Sequence, residues 1–387
     1  MDQPESFVAL SDALHDDARK ETGLDDFGDP SYGKGLEVLL TSLDEDVNLS
    51  PLGRGIYRGQ LTKILATRLR IVQRLKDRPE VLETQICRPI VITGLVRTGS
   101  TALHYLMGQD PGLQKLEYWL AAEPQPRPPR EEWEANPAFE AAVGELDFLY
   151  NTTPDLMAVH EMKADWPEEC RHILAQCFTD DRFESSATLP LYNEWYHGTA
   201  HPETYRWHKK VIQLIGSTNP KRRWLLKYPV HLRQLDALFA VYPDACVIQT
   251  HRDPRTVMAS YASFISKVRQ MHQLDVDLAG IAREQMESWA HAARAGMRYR
   301  EAHGDDQFID LQFRDFMSDP IGSVKRIYDR FEQTLSPEGE AKLEAWHADH
   351  PQGRHGQHSY EKKDIGISED EILEHFADYM NQYGIEP

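Results

Sequence analysis

The stretch VITGLVRTGSTALH, residues 91–104, decides how the chain is organised. An apolar run at residues 89–93 leads into it and predicts a short buried strand. Gly94 and Gly99 then bracket a tight turn, and residues 100–107 are compatible with a helix that ends at Gly-Gln-Asp-Pro. The stretch therefore predicts a strand, a glycine turn and a helix in direct succession.

The turn has the spacing of a phosphate-binding loop without that loop's lysine. In the pattern GxxxxGK[ST], the glycines correspond to Gly94 and Gly99, and the hydroxyl residue corresponds to Thr101. Ser100 stands in place of the lysine, and Arg97 carries a positive charge three positions earlier. Backbone N–H groups at such a turn, together with the helix dipole, bind phosphate-like anions. The missing lysine disfavours metal-dependent γ-phosphoryl transfer, and a plain turn without a ligand is the alternative for this motif alone.

Composition and charge place the chain among globular proteins and argue against a nucleic-acid binder. Of 387 residues, 41% are hydrophobic and 27% are charged, and the net charge is −19. Nucleic-acid binding needs an extended basic face, which so acidic a balance does not favour. The four cysteines form no CxxC pair, which fits a reducing compartment. The N-terminal residues do not resemble a signal peptide and no apolar run approaches a membrane span, so we expect a cytoplasmic protein.

Strands and helices are predicted to alternate along the chain. Three further apolar runs, at residues 223–228, 245–250 and 307–313, predict strands. An amphipathic helix is predicted over residues 58–82, and another over residues 232–242. Strands that alternate with helices imply an α/β fold with a central parallel sheet covered on both faces.

A second motif, VIQTHRDPRTVMAS at residues 247–260, begins in one of these strands. Arg252 follows the strand directly, and Asp253 with Pro254 opens a helix. Ser260 lies two turns into that helix. An arginine and a hydroxyl placed in this way can hold a second phosphate at the carboxyl edge of the sheet.

With both motifs in place, the chain resembles the sulfotransferases that use 3′-phosphoadenosine-5′-phosphosulfate (PAPS), above all their bacterial branch. The resemblance implies a P-loop-like three-layer fold. It also implies that Arg252 and Ser260 bind the 3′-phosphate of the nucleotide. The 5′-phosphosulfate would be held by the first loop, which comprises Arg97, Thr98, Gly99, Ser100 and Thr101.

Three more segments carry the resemblance. In WLLKYPVHL, Lys227 matches the lysine that reaches the transferring sulfuryl group, while Tyr228 replaces the usual Ser or Thr. In QFRDFMSDP, Phe313 occupies the position that contacts adenine. In QGRHGQHSYEKKDIGI, Arg354 and Gly356 belong to a segment that closes over the nucleotide, with Arg354 as its best phosphate ligand.

The resemblance runs from about residue 89 to residue 367 and suggests how the chain is divided. We expect a helical N-terminal extension over residues 1–88 and a sulfotransferase domain over residues 89–387. Within that domain, residues 120–222 are expected to form a helical insertion on the acceptor side. HEMKADWPEEC, at residues 160–170, resembles a helical segment of the bacterial branch. The aromatics at residues 192–207 either line an acceptor pocket or belong to the core.

The predicted reaction moves a sulfuryl group from PAPS to a hydroxyl or amine of a small-molecule or saccharide acceptor, without a metal. Arg97 and Lys227 would stabilise the transferring group. The general base is open among Glu117, His231 and His104. Glu117 resembles the glutamate of the branch that modifies protein tyrosines, and each candidate also has a plain structural reading as a cap, a core residue or a surface charge.

Two other functions compete with this prediction. One is a nucleotide-binding protein of the same fold without turnover, and the other is a metal-dependent nucleotide kinase. The sequence does not identify the acceptor. It also leaves open whether the chain forms a homo-oligomer and whether the sulfate ester is expelled in a sulfate-assisted elimination.

Overall fold

A five-stranded parallel sheet forms the centre of the computed structural model, which describes residues 5–152, 161–350 and 365–386. The strands lie in the order β2-β3-β1-β4-β5, and every neighbouring pair is parallel. Their bounds are β1 Ile90–Gly94, β2 Leu113–Lys115, β3 Arg223–Lys227, β4 Cys246–His251 and β5 Phe308–Gln312. The α/β class with a parallel sheet is thereby confirmed.

Helices connect the strands and cover the sheet. The α-helices are α1 Ser11–Thr22, α2 Tyr32–Glu45, α3 Pro51–Asp77, α4 Ser100–Met107, α5 Tyr118–Ala122, α6 Pro137–Thr152, α7 Arg171–Leu174, α8 Asp181–Ser186, α9 Pro190–Gly198, α10 Pro202–Gly216, α11 Leu235–Val241, α12 Pro254–Gln270, α13 Leu278–His303, α14 Phe313–Ser318, α15 Pro320–Arg330, α16 Pro337–Asp349 and α17 Glu369–Tyr383. Short 3₁₀ helices lie at Pro79–Glu83, Arg130–Glu132, Ala175–Cys177 and Pro229–Gln234. Among the described residues, no helix is long and apolar enough to cross a membrane.

Local sequence explains where the helices around the site begin. Helix α4 follows Gly99, whose left-handed backbone (φ +82°) turns the chain out of the loop. Helix α12 follows Asp253, whose side chain accepts a hydrogen bond from the Arg255 amide, with Pro254 in the first turn. The predicted helix over residues 58–82 instead starts at Pro51, where Ser50 caps it, and ends at Asp77 before a proline-led 3₁₀ turn.

The two faces of the sheet join different hydrophobic clusters. Ile92 and Ile248 face the cluster that includes α4, α15 and α16. Val91 and Val247 face the larger cluster, which also takes in residues of α1, α2 and α3. Alternate strand residues therefore bury both faces, as a parallel sheet requires. The division into an N-terminal extension and a main domain stays a prediction, although these N-terminal residues share one core with the helices of residues 120–222.

The aromatic residues at 192–207 mostly belong to that core. Tyr192, Tyr196 and Tyr205 are at most 1% exposed, and Trp207 is buried. Tyr192 donates a hydrogen bond to the Phe178 carbonyl oxygen at 2.9 Å. These contacts favour the structural reading of the aromatic cluster over contact with an acceptor.

Candidate active site

Side chains at or just after the ends of β3, β4 and β5 meet the loop that follows β1 at the carboxyl edge of the sheet, where open α/β sheets bind their ligands. Lys227 is the last residue of β3, Arg252 follows β4, and Phe313 follows β5. The loop that joins β1 to α4 lies between them in the sheet order. The motifs that sequence analysis found separately thus meet at one site.

The loop between β1 and α4 is held open by unusual backbone conformations. Gly94, Arg97 and Gly99 all have positive φ, at 139°, 60° and 82°. A Cβ at Gly94 would collide with the Thr250 carbonyl oxygen, and one at Gly99 would lie 2.9 Å from the Phe313 ring. Both positions therefore require glycine. The first amides of α4 have no carbonyl partner within the helix, so they point toward whatever the loop encloses.

Hydroxyl contacts fasten this loop to β4. The Thr98 hydroxyl lies 2.6 Å from the Thr250 hydroxyl, which donates to the Thr93 carbonyl oxygen at 3.1 Å. Thr98 is 1% exposed, so its role in the structure is to anchor the loop, and Ser100 is buried beside it at the start of α4. Thr101 is half-buried and its hydroxyl faces Lys227.

The two predicted phosphate motifs are in direct contact. Arg97 Nε donates to Ser260 Oγ at 3.3 Å, and Arg252 Nη1 donates to the Arg97 carbonyl oxygen at 3.0 Å. The Arg252 guanidinium also lies over the Phe313 ring, 4.1 Å from its centre. Two arginines, a buried hydroxyl and an aromatic ring therefore lie side by side, and groups of this kind can bind phosphate and stack on a base.

Lys227 links the loop to a carboxylate that sequence analysis did not single out. Its ammonium group donates to the Thr101 hydroxyl at 3.0 Å and forms a short ion pair with Glu169. The Lys227 side chain is 2% exposed and that of Glu169 is 16% exposed. The sequence signal for this carboxylate is the pair of adjacent glutamates in WPEEC, at residues 166–170.

Glu168, the neighbour of Glu169, is buried, and its surroundings disfavour the ionised form of its carboxyl group. Burial, together with the charge of Glu169, raises the pKa of the Glu168 carboxyl to about 7. Its oxygen accepts a hydrogen bond from the Glu169 amide at 2.8 Å. The positive charges of Arg171 and Lys227 act to lower the pKa of Glu168, but they do not offset the effect of burial.

The structure places Glu117 in a buried ion pair, away from solvent. Arg127 Nη2 donates to Glu117 Oε2 at 2.8 Å, and the two side chains are 7% and 5% exposed. A carboxylate committed to a buried guanidinium is poorly placed to receive an acceptor's proton. This geometry weighs against Glu117 as the base, although its role stays a prediction.

The two candidate histidines are buried, and both are held neutral. Burial and the nearby charge of Lys227 lower the pKa of His104 to about 3. Burial also lowers the pKa of His231 to about 3, and its Nδ1 lies 2.7 Å from the Tyr205 hydroxyl. Each ring is at most 1% exposed. Groups that resist protonation so strongly make poor proton acceptors.

Tyr228, which replaces the usual Ser or Thr, uses its hydroxyl group to hydrogen-bond two carboxylates. Its hydroxyl donates to Asp180 Oδ2 at 2.9 Å and makes a shorter contact with Asp181. Burial, with the charge of Asp180, raises the pKa of Asp181 to about 7. Tyr228 therefore anchors a buried acidic cluster behind β3 instead of presenting a hydroxyl beside Lys227.

Two predicted ligands cannot be placed. Arg354 and Gly356 lie outside the described residues. Within the ranges that the structure describes, no group of three His, Cys, Asp or Glu side chains is arranged to hold a metal ion.

Comparison with known proteins agrees with this site. A family model described as the sulfotransferase family matches residues 89–337. The omega-hydroxy-beta-dihydromenaquinone-9 sulfotransferase Stf3 of Mycobacterium bovis is 25% identical over 323 residues, which are 79% of this chain and 77% of that protein.

Two solved structures resemble the whole chain. The sulfotransferase STF1 from Mycobacterium tuberculosis H37Rv is 37% identical, with a TM-score of 0.88, over 97% of this chain and 100% of that one. The sulfotransferase STF9 from Mycobacterium avium is 28% identical, with a TM-score of 0.89, over 97% of each chain. These matches confirm the P-loop-like fold and include the segment before residue 89.

The residues matched by the family model include the loop after β1, Lys227, the motif after β4 and Phe313. The motifs, their meeting at one edge of the sheet and the similarity to solved relatives lead to the same conclusion: this chain belongs to the sulfotransferase family.

Proposed function

We propose that this protein transfers a sulfuryl group from PAPS to a hydroxyl group of a small-molecule acceptor and releases 3′-phosphoadenosine 5′-phosphate. The observation that carries the proposal is the direct contact between the two anion-binding motifs through Arg97, Ser260 and Arg252. A nucleotide with phosphates at both its 3′ and 5′ positions has anions to occupy both halves of such a pocket. ATP offers phosphates at one position only.

The chain's own groups account for each half of the donor. The loop amides and Arg97 would bind the 5′-phosphosulfate, and Arg252 with Ser260 would bind the 3′-phosphate. Phe313 would stack against adenine while it supports the Arg252 guanidinium from below. Arg354 and Gly356, from their sequence pattern, would close over the nucleotide.

The reaction follows from these positions. The acceptor oxygen attacks sulfur, and the bond from sulfur to the bridging oxygen of the 5′-phosphate breaks in line with it. Lys227 would neutralise charge on the sulfuryl oxygens from the end of β3, and Arg97 would do so from the loop. The proton of the acceptor passes to a carboxylate, so no metal is needed to balance the step.

A hydroxyl acceptor is favoured by the chemistry of one relative. The sulfotransferase from Mycobacterium bovis is named for an omega-hydroxy-beta-dihydromenaquinone, a molecule that carries a hydroxyl group. We extend to this chain the functional group and not the molecule, because acceptor pockets vary while the donor site is retained.

The proposal is tested by calorimetric titration of wild type and Arg252→Ala with 3′-phosphoadenosine 5′-phosphate, ADP and Mg-ATP. We expect the 3′-phosphorylated nucleotide to bind far more tightly than ADP. Arg252→Ala should lose most of that preference, on the order of 2 kcal/mol for a charged hydrogen bond. Arg255→Ala is the matched control, because Arg255 lies one turn further on and pairs with Asp253.

Either of two results would overturn the proposal. If ADP or Mg-ATP bound as tightly as the 3′-phosphorylated nucleotide, the second phosphate site would be absent and a kinase or a plain nucleotide binder would take its place. If Arg255→Ala lost the preference as fully as Arg252→Ala, Arg252 would have no special role.

A further inference from the structure

The carboxylate of Glu169 lies at the reacting end of the proposed donor site. Lys227 holds it in an ion pair and, with the same ammonium group, donates to the Thr101 hydroxyl at 3.0 Å. Thr101 belongs to the first turn of α4, which encloses the phosphosulfate side of the loop. A lysine ammonium has three N–H donors, and these two contacts leave one for a sulfuryl oxygen.

The backbone fixes Glu169 between the ends of two strands. The Glu168 amide donates to the Leu116 carbonyl oxygen at 2.6 Å, just beyond β2. The Cys170 amide donates to the Lys227 carbonyl oxygen at 3.1 Å, at the end of β3. Both neighbours of Glu169 are thus tied to the sheet edge, which gives the carboxylate a defined position without a helix or strand of its own.

Exposure separates Glu169 from Glu117, Glu168 and Asp180. Its side chain is 16% exposed, whereas those of Glu117 and Asp180 are 5% and 0% exposed. Glu168 is 4% exposed. An acceptor that approaches the sulfuryl group from the open side of the site therefore reaches Glu169 before these carboxylates.

We propose that Glu169 is the general base of the reaction, an inference that rests on the proposed sulfuryl transfer. As the acceptor oxygen forms its bond to sulfur, its O–H bond breaks and the proton moves to the Glu169 carboxylate. The electron pair of the breaking sulfur–oxygen bond leaves with the 5′-phosphate. The carboxylic acid formed then returns its proton to water as the sulfate ester departs. Lys227 contacts both Glu169 and the sulfuryl oxygens in this arrangement, so it fixes the position of the base relative to the sulfur atom.

The test uses Glu169→Gln, which keeps the shape of the side chain and removes its basicity. Transfer of labelled sulfuryl from PAPS is measured to a primary alcohol and to phenols of graded acidity, from 4-methoxyphenol to 4-nitrophenol. A general base matters most for weakly acidic acceptors. We expect a loss of about 10²-fold or more with the alcohol, and a much smaller loss with 4-nitrophenol, which ionises without help.

Controls separate this inference from the proposed function. Glu123→Gln removes a carboxylate of similar exposure, 20%, that pairs with Arg70 and Arg74 of α3 instead of Lys227, and it should retain the wild-type rates. The dissociation constant of 3′-phosphoadenosine 5′-phosphate should change less than about threefold in Glu169→Gln, since the base contacts the acceptor.

The possible outcomes are distinct. An equal loss with every acceptor would show that Glu169 only positions Lys227, and an unchanged rate would show no role; each overturns the inference and leaves the proposed function standing. A wild-type protein that transferred sulfuryl to no acceptor, or bound no 3′-phosphorylated nucleotide, would overturn the proposed function as well.

Discussion

The donor half and the acceptor half of the site are built in opposite ways. The donor half consists of two strand–turn–helix units, each continuous in sequence, which present arginines, hydroxyls and backbone amides. The acceptor half is assembled around Lys227 from segments far apart in the chain, and carboxylates dominate it. Fifty-eight positions separate Glu169 from its lysine. A short stretch of sequence is enough to predict the proposed anion site. The charged residues around Lys227 come together only when the chain folds.

The two halves also differ in how their charges are compensated. In the proposed donor half, the described contacts of Arg97 and Arg252 include hydrogen bonds to the uncharged oxygen atoms of a hydroxyl and a carbonyl. In the acceptor half, Arg127 and Lys227 are each matched to a carboxylate. The two proposed halves thus differ in their described contacts: arginines against neutral oxygens in one, and cations against carboxylates in the other.

Lys227 is where the two halves join, so its removal should have the largest effect. We expect Lys227→Met to lower the rate of sulfuryl transfer by about 10³-fold, because it removes a charged donor to the developing negative charge. The rate is measured with labelled PAPS and a phenol acceptor. Lys115→Met, on the neighbouring strand β2, is the control, since its ammonium group donates only to the Gly108 carbonyl oxygen among the described contacts. If Lys227→Met lowered the rate of sulfuryl transfer by less than tenfold, Lys227 would not be the residue that links the two halves.

Glu117 tests whether the buried acceptor-side ion pairs are structural. Glu117→Gln leaves Arg127 buried without its charge partner, and we expect a loss of about 3 kcal/mol in the free energy of unfolding by urea. The rate of the folded variant should stay within about threefold of wild type. Adding Arg127→Met should recover part of the stability. If the rate collapsed while stability held, Glu117 would be the base after all.

Glu168 predicts a dependence of stability on pH. Its folded pKa of about 7 lies above the reference value of 4.5, so the folded state binds this proton more tightly than the unfolded chain does. The stability that Glu168 contributes is therefore present at low pH and is lost as pH rises from about 4.5 to about 7. Relative to wild type, Glu168→Gln should gain roughly 3 kcal/mol between pH 4.5 and pH 8, measured by urea unfolding. A constant difference across that range would contradict the raised pKa.

Gly99 tests the donor half through its backbone. Gly99→Ala places a Cβ at a φ of +82°, 2.9 Å from the Phe313 ring, which should cost about 1–2 kcal/mol and displace the loop. We expect about tenfold weaker binding of 3′-phosphoadenosine 5′-phosphate by calorimetry. Gly55→Ala, in α3 with open space around it, should leave binding unchanged and preserve or raise the melting temperature. Equal binding by both variants would mean that the loop tolerates a side chain.

Substitution of Phe313 should have the smallest effect on nucleotide binding. It separates the contact with adenine from the contact with the 3′-phosphate. Phe313→Leu should weaken 3′-phosphoadenosine 5′-phosphate and ADP alike, by about 1 kcal/mol, because the ring would contact adenine in both. Arg252→Ala, in contrast, should affect only the nucleotide with the 3′-phosphate. Calorimetry with both ligands distinguishes them. If Phe313→Leu weakened only the 3′-phosphorylated nucleotide, the ring would act solely by supporting the Arg252 guanidinium at 4.1 Å.

Much of the fold could be predicted because its signals are local. The helix Ser100–Met107 occurs as predicted, and strands β1, β3, β4 and β5 lie within one or two residues of their predicted bounds. Strand β2 was missed because Leu113–Lys115 has three residues, too few for a pattern of alternation or an apolar run to register. The predicted helix over residues 232–242 is divided into a 3₁₀ segment, Pro229–Gln234, and α11.

The acceptor half resisted prediction for a different reason. Three glutamates, Glu117, Glu168 and Glu169, are alike as letters, yet one pairs with Arg127, one is buried with a raised pKa and one pairs with Lys227. Which carboxylate receives which cation depends on how the chain at residues 161–170 packs across the ends of β2 and β3. No periodicity or spacing in the sequence reports that packing.

The sequence by itself determined the parallel sheet, the glycine loop between β1 and α4 and the second motif after β4, because each is a short run whose backbone geometry follows from its own glycines, caps and apolar residues. Tertiary structure alone decided that the two motifs touch, that Tyr228 serves a buried acidic pair, and that Glu169 shares Lys227 with the loop. The physical reason is that charges in a partly buried site interact strongly over a few ångströms, and only folding brings residues so far apart in the chain to that distance.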